Sequence, residues 1–249
     1  LETPVHKLLG GYTDSMRVSH MLGFKPAEEL LEEALRFGDQ YGITTFKLKV
    51  GRRPLSLDIE AVRVLREGLG DDVEIYLDAN RGWTANEAME VLRQTADYGL
   101  TMLEEPCDAK EALSRRRLVD HSPIPIVADE SVPTAGDASR ELLSGGANAI
   151  CIKTARSGFT EATEILVLCT GLGVDVTMGN QIDTQVGSLA TVTFGAAHRA
   201  SSARAGELSN FLDMSDDLLA DPIEILDGRI SVRDLPGVGA EIDEDKLAH

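Results

Sequence analysis

Strand-like runs and amphipathic helical runs alternate along most of this chain with a repeat of roughly 25 residues, and this rhythm restricts the fold more than any other feature. Runs with strand character fall at 16–24, 45–50, 73–80, 100–106, 124–131, 147–154, 174–180 and 206–211. Helical patterns separate them at 26–42, 56–70, 84–99, 109–122, 135–146, 158–173 and 185–200. Pro26 opens the first of these and Gly42 stops it, while Thr84 followed by Glu87 gives the third a capping box. Repeated βα units build a parallel sheet with its helices outside. Two closures compete, an open doubly wound sheet and a closed eight-stranded barrel. No G-x-G-x-x-G follows the first run and no P-loop pattern occurs, which weakens the open nucleotide-binding form. The α/β barrel is therefore expected, with its site at the C-terminal ends of the strands.

Two segments stand outside the rhythm. Residues 1–15 read as the tail of a helix and a Gly10-Gly11 turn, and residues 212–249 are acidic, broken by Pro and Gly, and expected to wrap back over the rest. The barrel proper is then 16–211. Composition narrows the function classes. With 42 acidic against 24 basic residues the net charge is −18, which repels nucleic acid and anionic membrane surfaces. No apolar run of about 18 residues offers a membrane span. The opening LETPVHKLLGGYTD lacks the order of a signal peptide. Cys107, Cys151 and Cys169 are odd in number and form no CxxC pair, as expected of reduced thiols in a cytoplasmic protein.

Against this acidic background the stretch FKLKVG poses a question. Phe46, Leu48 and Val50 alternate with Lys47 and Lys49, so both lysines share one face of a strand. In a barrel that face points inward, where an unpaired charge is costly. Partners are available at the ends of the following strands: Asp78, then Glu104 and Glu105, then Asp129 and Glu130, with Lys153 and Asp183 further on. Asp78, Glu104 and Asp129 lie 26 and 25 residues apart, one βα unit each. Within the adjacent pairs Glu104-Glu105 and Asp129-Glu130, neighbours face opposite sides, so parity alone does not choose between them. Three converging carboxylates need a cation, and oxygen-only ligation suits Mg²⁺ or Mn²⁺. Asn80, two residues past Asp78, is a supporting partner. An amine beside a metal and other cations has its pKa lowered, which suits Lys49 and Lys153 to proton transfer and leaves Lys47 to steady a carboxylate. His20 is either a substrate contact or a core histidine. Arg156 is a candidate for a second substrate carboxylate, Arg115, Arg116 and Arg117 a solvated or interface run, and Trp83 a packing residue.

The pieces KLK, LDAN, LEEP, ADES and IKTARSG, in this order and spacing, resemble the enolase superfamily and its muconate-lactonising branch. Longer phrases such as GGYTDSMRVSHMLGF, MGNQID and GELSNFLDMSDDLL resemble the actinobacterial muconate cycloisomerases. The resemblance implies a modified TIM barrel, (β/α)7β, without the N-terminal α+β capping domain of the family, and a segment 212–249 that packs back toward that domain. It implies Asp78, Glu104 and Asp129 as ligands of Mg²⁺ or Mn²⁺, and Lys49 and Lys153 as acid and base with Lys47 beside the substrate. It further implies a homo-oligomer that takes a small carboxylate or dicarboxylate, namely reversible lactonisation of cis,cis-muconate during aromatic degradation, with Lys49 delivering the proton. Dipeptide epimerase, N-acylamino-acid racemase and o-succinylbenzoate synthase chemistry use the same lysines and stand as the alternatives. Asp183 stands where relatives carry a Glu, and Glu105 where they often carry Gln; Glu130, Asp183 and His20 are expected as supporting or substrate contacts.

Overall fold

The computed structural model describes residues 2–248. Eight parallel strands lie in the spatial order β7-β6-β5-β4-β3-β2-β1-β8. They are β1 (Ser15–Leu22), β2 (Thr45–Lys49), β3 (Glu74–Asp78), β4 (Leu103–Glu104), β5 (Ile126–Ala128), β6 (Ala149–Ile152), β7 (Asp175–Met178) and β8 (Gly206–Glu207). β7 and β8 come together at the seam, where a Cβ placed on Gly206 would lie 3.3 Å from that of Met178. The sheet is thus a nearly closed barrel, the expected one of the two closures that the alternation allows. The last strand is shorter than its run suggested, because Asn210–Asp213 turn into a 3₁₀ helix.

The helices joining these strands are α2 (Ala27–Tyr41), α3 (Ser56–Leu69), α4 (Ala85–Gln94), α5 (Ala112–His121), α6 (Ala135–Ser144), α7 (Thr154–Leu172) and α8 (Gln185–Ala197). Leu30, Ala34 and Phe37 recur at helical spacing on α2 and share one apolar layer with the outward-facing Phe46 and Leu48 of β2. Each such large side chain contributes roughly 1.5–3 kcal/mol when buried. Gly158 (φ 63°) interrupts α7 and leaves a single turn, Thr154–Ser157, before the main helix. Inside the barrel a separate small group, Tyr76, Met102, Val127, Ala149 and Cys151, fills the interior.

The flanking segments both settle on the barrel. A short helix α1 (Val5–Leu9) precedes β1, and β9 (Arg229–Ser231) pairs antiparallel with its start, Met16 opposite Ile230. Val5 N–H donates to the Gly237 carbonyl at 2.8 Å, which joins the two segments. Gly42 (φ 70°) ends α2 where the chain passes so close that a Cβ would meet the Asp227 Cα at 2.8 Å. Asp217 caps α8, its Oδ2 accepting from Gln185 N–H at 2.7 Å. A short helix α9 (Glu244–Leu247) completes the described residues. No helix among them is long and apolar enough to cross a membrane.

Candidate active site

Strand β2 resolves the question set by its sequence. Phe46 and Leu48 face the helices, while Lys47 and Lys49 project into the barrel, where β3, β4 and β8 supply carboxylates. The Lys47 ammonium, 1 % exposed, lies 2.9 Å from Asp78 Oδ2, 2.8 Å from Glu104 Oε1 and 2.9 Å from Glu207 Oε2. An isolated ammonium there would cost several kcal/mol; three hydrogen-bonded carboxylates are what make the burial tolerable. Lys49 is more open, 21 % exposed, and donates to Asp78 Oδ2 and Asn80 Oδ1, each at 2.7 Å. Asn80 in turn donates to Glu130 Oε1 at 2.8 Å, and its backbone N–H holds Asp78 Oδ1 at 2.9 Å.

On the other flank Lys153, the N-cap residue of α7, donates to Asp129 Oδ2, and Arg156 Nη1 reaches Asp129 Oδ1 at 2.9 Å. Room for Lys153 comes from Gly179 just past β7: a Cβ there would sit 2.5 Å from Cys151 Sγ and 2.8 Å from Lys153 Cε. Lys49 on β2 and Lys153 at the end of β6 flank the three carboxylate-bearing strands β3, β4 and β5.

The electrostatics divide the carboxylates. Against the cost of burial, Lys47 and Lys49 hold Asp78 down at about 2. Asp129 is likewise held low, Lys153 and Arg156 outweighing its burial. Glu104 goes the other way: burial, only partly countered by Lys47 and reinforced by Asp78 and Asp129, pushes it up to about 8. Lys153, expected to have a lowered value, is instead raised, its burial outweighed by Cys151, Asp129 and Glu104, and Lys47 is raised likewise by Asp78, Glu104 and Glu207. With carboxylates rather than cations as nearest neighbours, the protonated amine is the favoured form.

A carboxyl raised by burial, with carboxylate neighbours adding to the effect, is a group short of positive charge. The donor set fits a hard divalent cation: Asp78 and Glu104 lie within the reach of one ammonium, and ligand atoms of Glu104, Asp129 and Cys151 lie within 4.8 Å of one another. Cys151 belongs to that group by position, but burial and the adjacent carboxylates keep its thiol protonated, so the oxygens remain the donors.

Several expectations change. His20 is not in this cluster; it stacks on Phe37 of α2 at 3.7 Å and bonds Ser209 Oγ and Glu33, a core histidine of the helix layer. Arg115 is no solvated residue but fully buried, bonded to Glu105, although its neighbours Arg116 and Arg117 are exposed. Arg156 spends its charge on Asp129. Glu105 turns away from the interior, leaving Glu104 to face it. Asp183 lies in the loop after β7; burial raises its carboxyl, and its Oδ2 has no partner among the described residues. Asn180 Nδ2, Thr177 Oγ1 and Glu130 Oε2 are likewise buried and unpaired around the strand ends. Glu207 was not singled out from sequence, although strand parity within GELSNF would have turned it inward beside Ser19. A groove of about 580 Å³ between α4 and α5, lined by Met89, Leu92 and Leu118, holds none of these residues.

Fold and site together define a parallel α/β barrel whose C-terminal rim carries interleaved lysines and carboxylates. The chain belongs to the enolase C-terminal domain-like family, whose model matches residues 29–246. Among relatives, muconate cycloisomerase 1 of Rhodococcus opacus is 30% identical over 249 residues, covering 99% of this chain and 66% of its own length. The L-Ala-D/L-Glu epimerase of Bacillus subtilis is 32% identical over 199 residues, covering 79% of this chain and 54% of its own. The muconate lactonizing enzyme of Mycobacterium smegmatis, solved also in complex with muconolactone, is 56% identical with a TM-score of 0.98, covering 100% of this chain and 70% of its own. The chain thus spans about two thirds of the length of the curated muconate cycloisomerases it matches.

Proposed function

We propose that this chain is the barrel of a divalent-cation-dependent isomerase that closes cis,cis-muconate to muconolactone. One observation carries the reading: Lys49 and Lys153 flank the arc of Asp78, Glu104 and Asp129 on β3, β4 and β5. The likeness to a solved lactonizing enzyme with muconolactone bound supports the choice of substrate.

Mg²⁺ or Mn²⁺ held by Asp78, Glu104 and Asp129 would supply positive charge to a substrate carboxylate as negative charge develops beside it. The substrate's distal carboxylate oxygen forms a C–O bond to the conjugated diene, whose electrons move toward the other carboxylate. Lys49 then gives a proton to the carbon next to that carboxylate, so one C–O and one C–H bond form and no group leaves. Exposure favours Lys49 for this step, because it can be reprotonated from solvent, whereas Lys47 is sealed. Lys47, held protonated by three carboxylates, keeps Asp78 and Glu104 in place and steadies the substrate's charge. Lys153 guards the opposite face of the substrate.

In this reading a capping domain completes the site over the rim, residues 1–15 connect to it, 16–211 form the catalytic barrel, and 212–249 tie the barrel's start to its end. The net charge of −18 disfavours nucleic acid as partner, and a small carboxylate would be drawn in against it by the lysines of the rim. The test is loss of diene absorbance from cis,cis-muconate with Mn²⁺, using a protein that carries this chain together with the capping domain, alongside its Lys49→Ala form. Turnover in the first and none in the second is expected; no turnover in either, with Mn²⁺ bound, overturns the reading. Lysines on both faces, and likeness to a dipeptide epimerase, support epimerisation as the second reading. Exchange of a dipeptide's α-proton with solvent deuterium would mark it.

A further inference from the structure

Glu105 lies just outside the site, yet it touches all three carboxylate stations. It follows Glu104 directly, with φ at +35°, a left-handed conformation that strains a residue other than glycine. This twist carries its side chain out of the interior and across to β5. There its Oε2 accepts from the backbone N–H of Asp129 at 2.6 Å, from Ser131 Oγ at 2.9 Å and from Ser131 N–H at 3.2 Å. Its own carbonyl accepts from Arg81 N–H at 2.7 Å, in the turn that follows Asp78. Asn80 and Arg81 in that turn are left-handed as well.

Behind Glu105 stands Arg115 of α5, fully buried. Nη1 donates to Glu105 Oε1 at 2.7 Å and to the Cys107 carbonyl at 2.6 Å, and Nε donates to the Gly146 carbonyl at 2.8 Å. A buried ion pair is weak evidence for stability, since apolar residues of similar volume replace such pairs at little cost. What the pair does here is geometric. It fixes the backbone of Asp129 to the strand that carries Glu104, while the Glu105 carbonyl separately holds the turn after Asp78.

We propose that Glu105, held by Arg115, is the positioning residue of the cation site, setting the spacing of Glu104 and Asp129 without touching the ion. The proposal rests on the reading of Asp78, Glu104 and Asp129 as ligands. It separates two roles that a simple truncation would mix. A merely structural pair would have its whole effect on stability, whereas a positioning pair also affects the metal affinity of the folded chain.

The experiment measures Mn²⁺ affinity by electron paramagnetic resonance, and thermal midpoint separately, for the wild type, E105Q and the double variant E105L/R115M. E105Q keeps an oxygen to accept from Asp129 N–H, and its Mn²⁺ affinity is expected within about threefold of wild type. The double variant removes both charges while filling the space; its midpoint is expected to fall, since Arg115 also serves Glu141 and the Cys107 and Gly146 carbonyls, while Mn²⁺ affinity, read well below the midpoint, is expected about tenfold or more lower. Wild-type affinity in the double variant overturns the proposal. A tenfold loss in E105Q also overturns it, by showing that the charge of Glu105 matters and not its tether; this arm stands even if the double variant fails to fold. A wild type that binds no Mn²⁺ overturns the ligand assignment itself.

Discussion

Lys47 and Glu207 stand 160 residues apart in sequence and 2.9 Å apart in space, a buried ion pair that spans β2, β1 and β8 near the barrel's seam. The same ammonium holds Asp78 and Glu104, so one side chain links carboxylates from three strands.

Lys47→Met should therefore destabilise the metal-free chain sharply. It leaves three buried carboxylates without their shared cation, a loss of about 3–5 kcal/mol for a broken buried pair. Calorimetry with EDTA should show the full fall in thermal midpoint, and saturating Mn²⁺ should recover part of it. Equal falls with and without Mn²⁺ would count against a cation in this cluster.

Lys49→Ala should behave differently. Removing a general acid typically costs about 10²–10⁴ in kcat. Mn²⁺ affinity should hold or rise, since an ammonium that competes for Asp78 Oδ2 has gone. Kinetics and metal titration on the same preparation separate the two effects; weaker Mn²⁺ binding would argue that Lys49 orders the ligands instead.

The value of about 8 at Glu104 gives a pH dependence with a definite sign. It lies above the ordinary 4.5, so the folded metal-free chain retains a proton that the unfolded chain releases. Metal-free stability should fall as pH rises from about 4.5 to about 8 through this group. Mn²⁺ must displace that proton, so its apparent affinity should rise by about tenfold per pH unit and level off above about 8. Calorimetric titration in two buffers of different ionisation enthalpy would count the released proton.

Gly179→Ala tests the packing of Lys153. The added methyl meets Cys151 Sγ and Lys153 Cε at distances no real Cβ keeps, so one of them must move. Lys153 is the freer, and turnover should drop by an order of magnitude or more while the thermal midpoint shifts only modestly. An unaffected kcat would show that Lys153 needs no fixed position.

Much of this was legible in the sequence because period-2 and period-3.6 patterns report directly which way a side chain points. Lys47 and Lys49 fell on the one face where strand parity placed them, and Asp78 and Asp129 at the strand ends where the repeat of roughly 25 residues placed them. Adjacent acids defeated parity: nothing local distinguishes Glu104 from Glu105, and the outcome depends on a left-handed φ at Glu105 that tertiary bonding imposes. Arg115 was unreadable for a similar reason. Three successive arginines look solvated, yet the helical turn carries the first beneath β4, where a buried acid awaits it. His20 could not be placed because its partners, Phe37 and Ser209, come from elements far apart in the chain. Glu207 was legible by parity within GELSNF, but its partner Lys47 lies 160 residues away, and nothing local announces that pairing.

The ring of ion pairs also sets the order in which a site like this can fill. With Glu104 ionised, as a bound cation would make it, Lys47, Lys49, Lys153 and Arg156 face Asp78, Glu104, Asp129 and Glu207, four positive groups against four negative ones. A dication alone overshoots this neutrality, and a dianionic substrate alone undershoots it by as much. Among the states with a ligand bound, the two together leave the interior uncharged, which couples their affinities and disfavours a half-filled site.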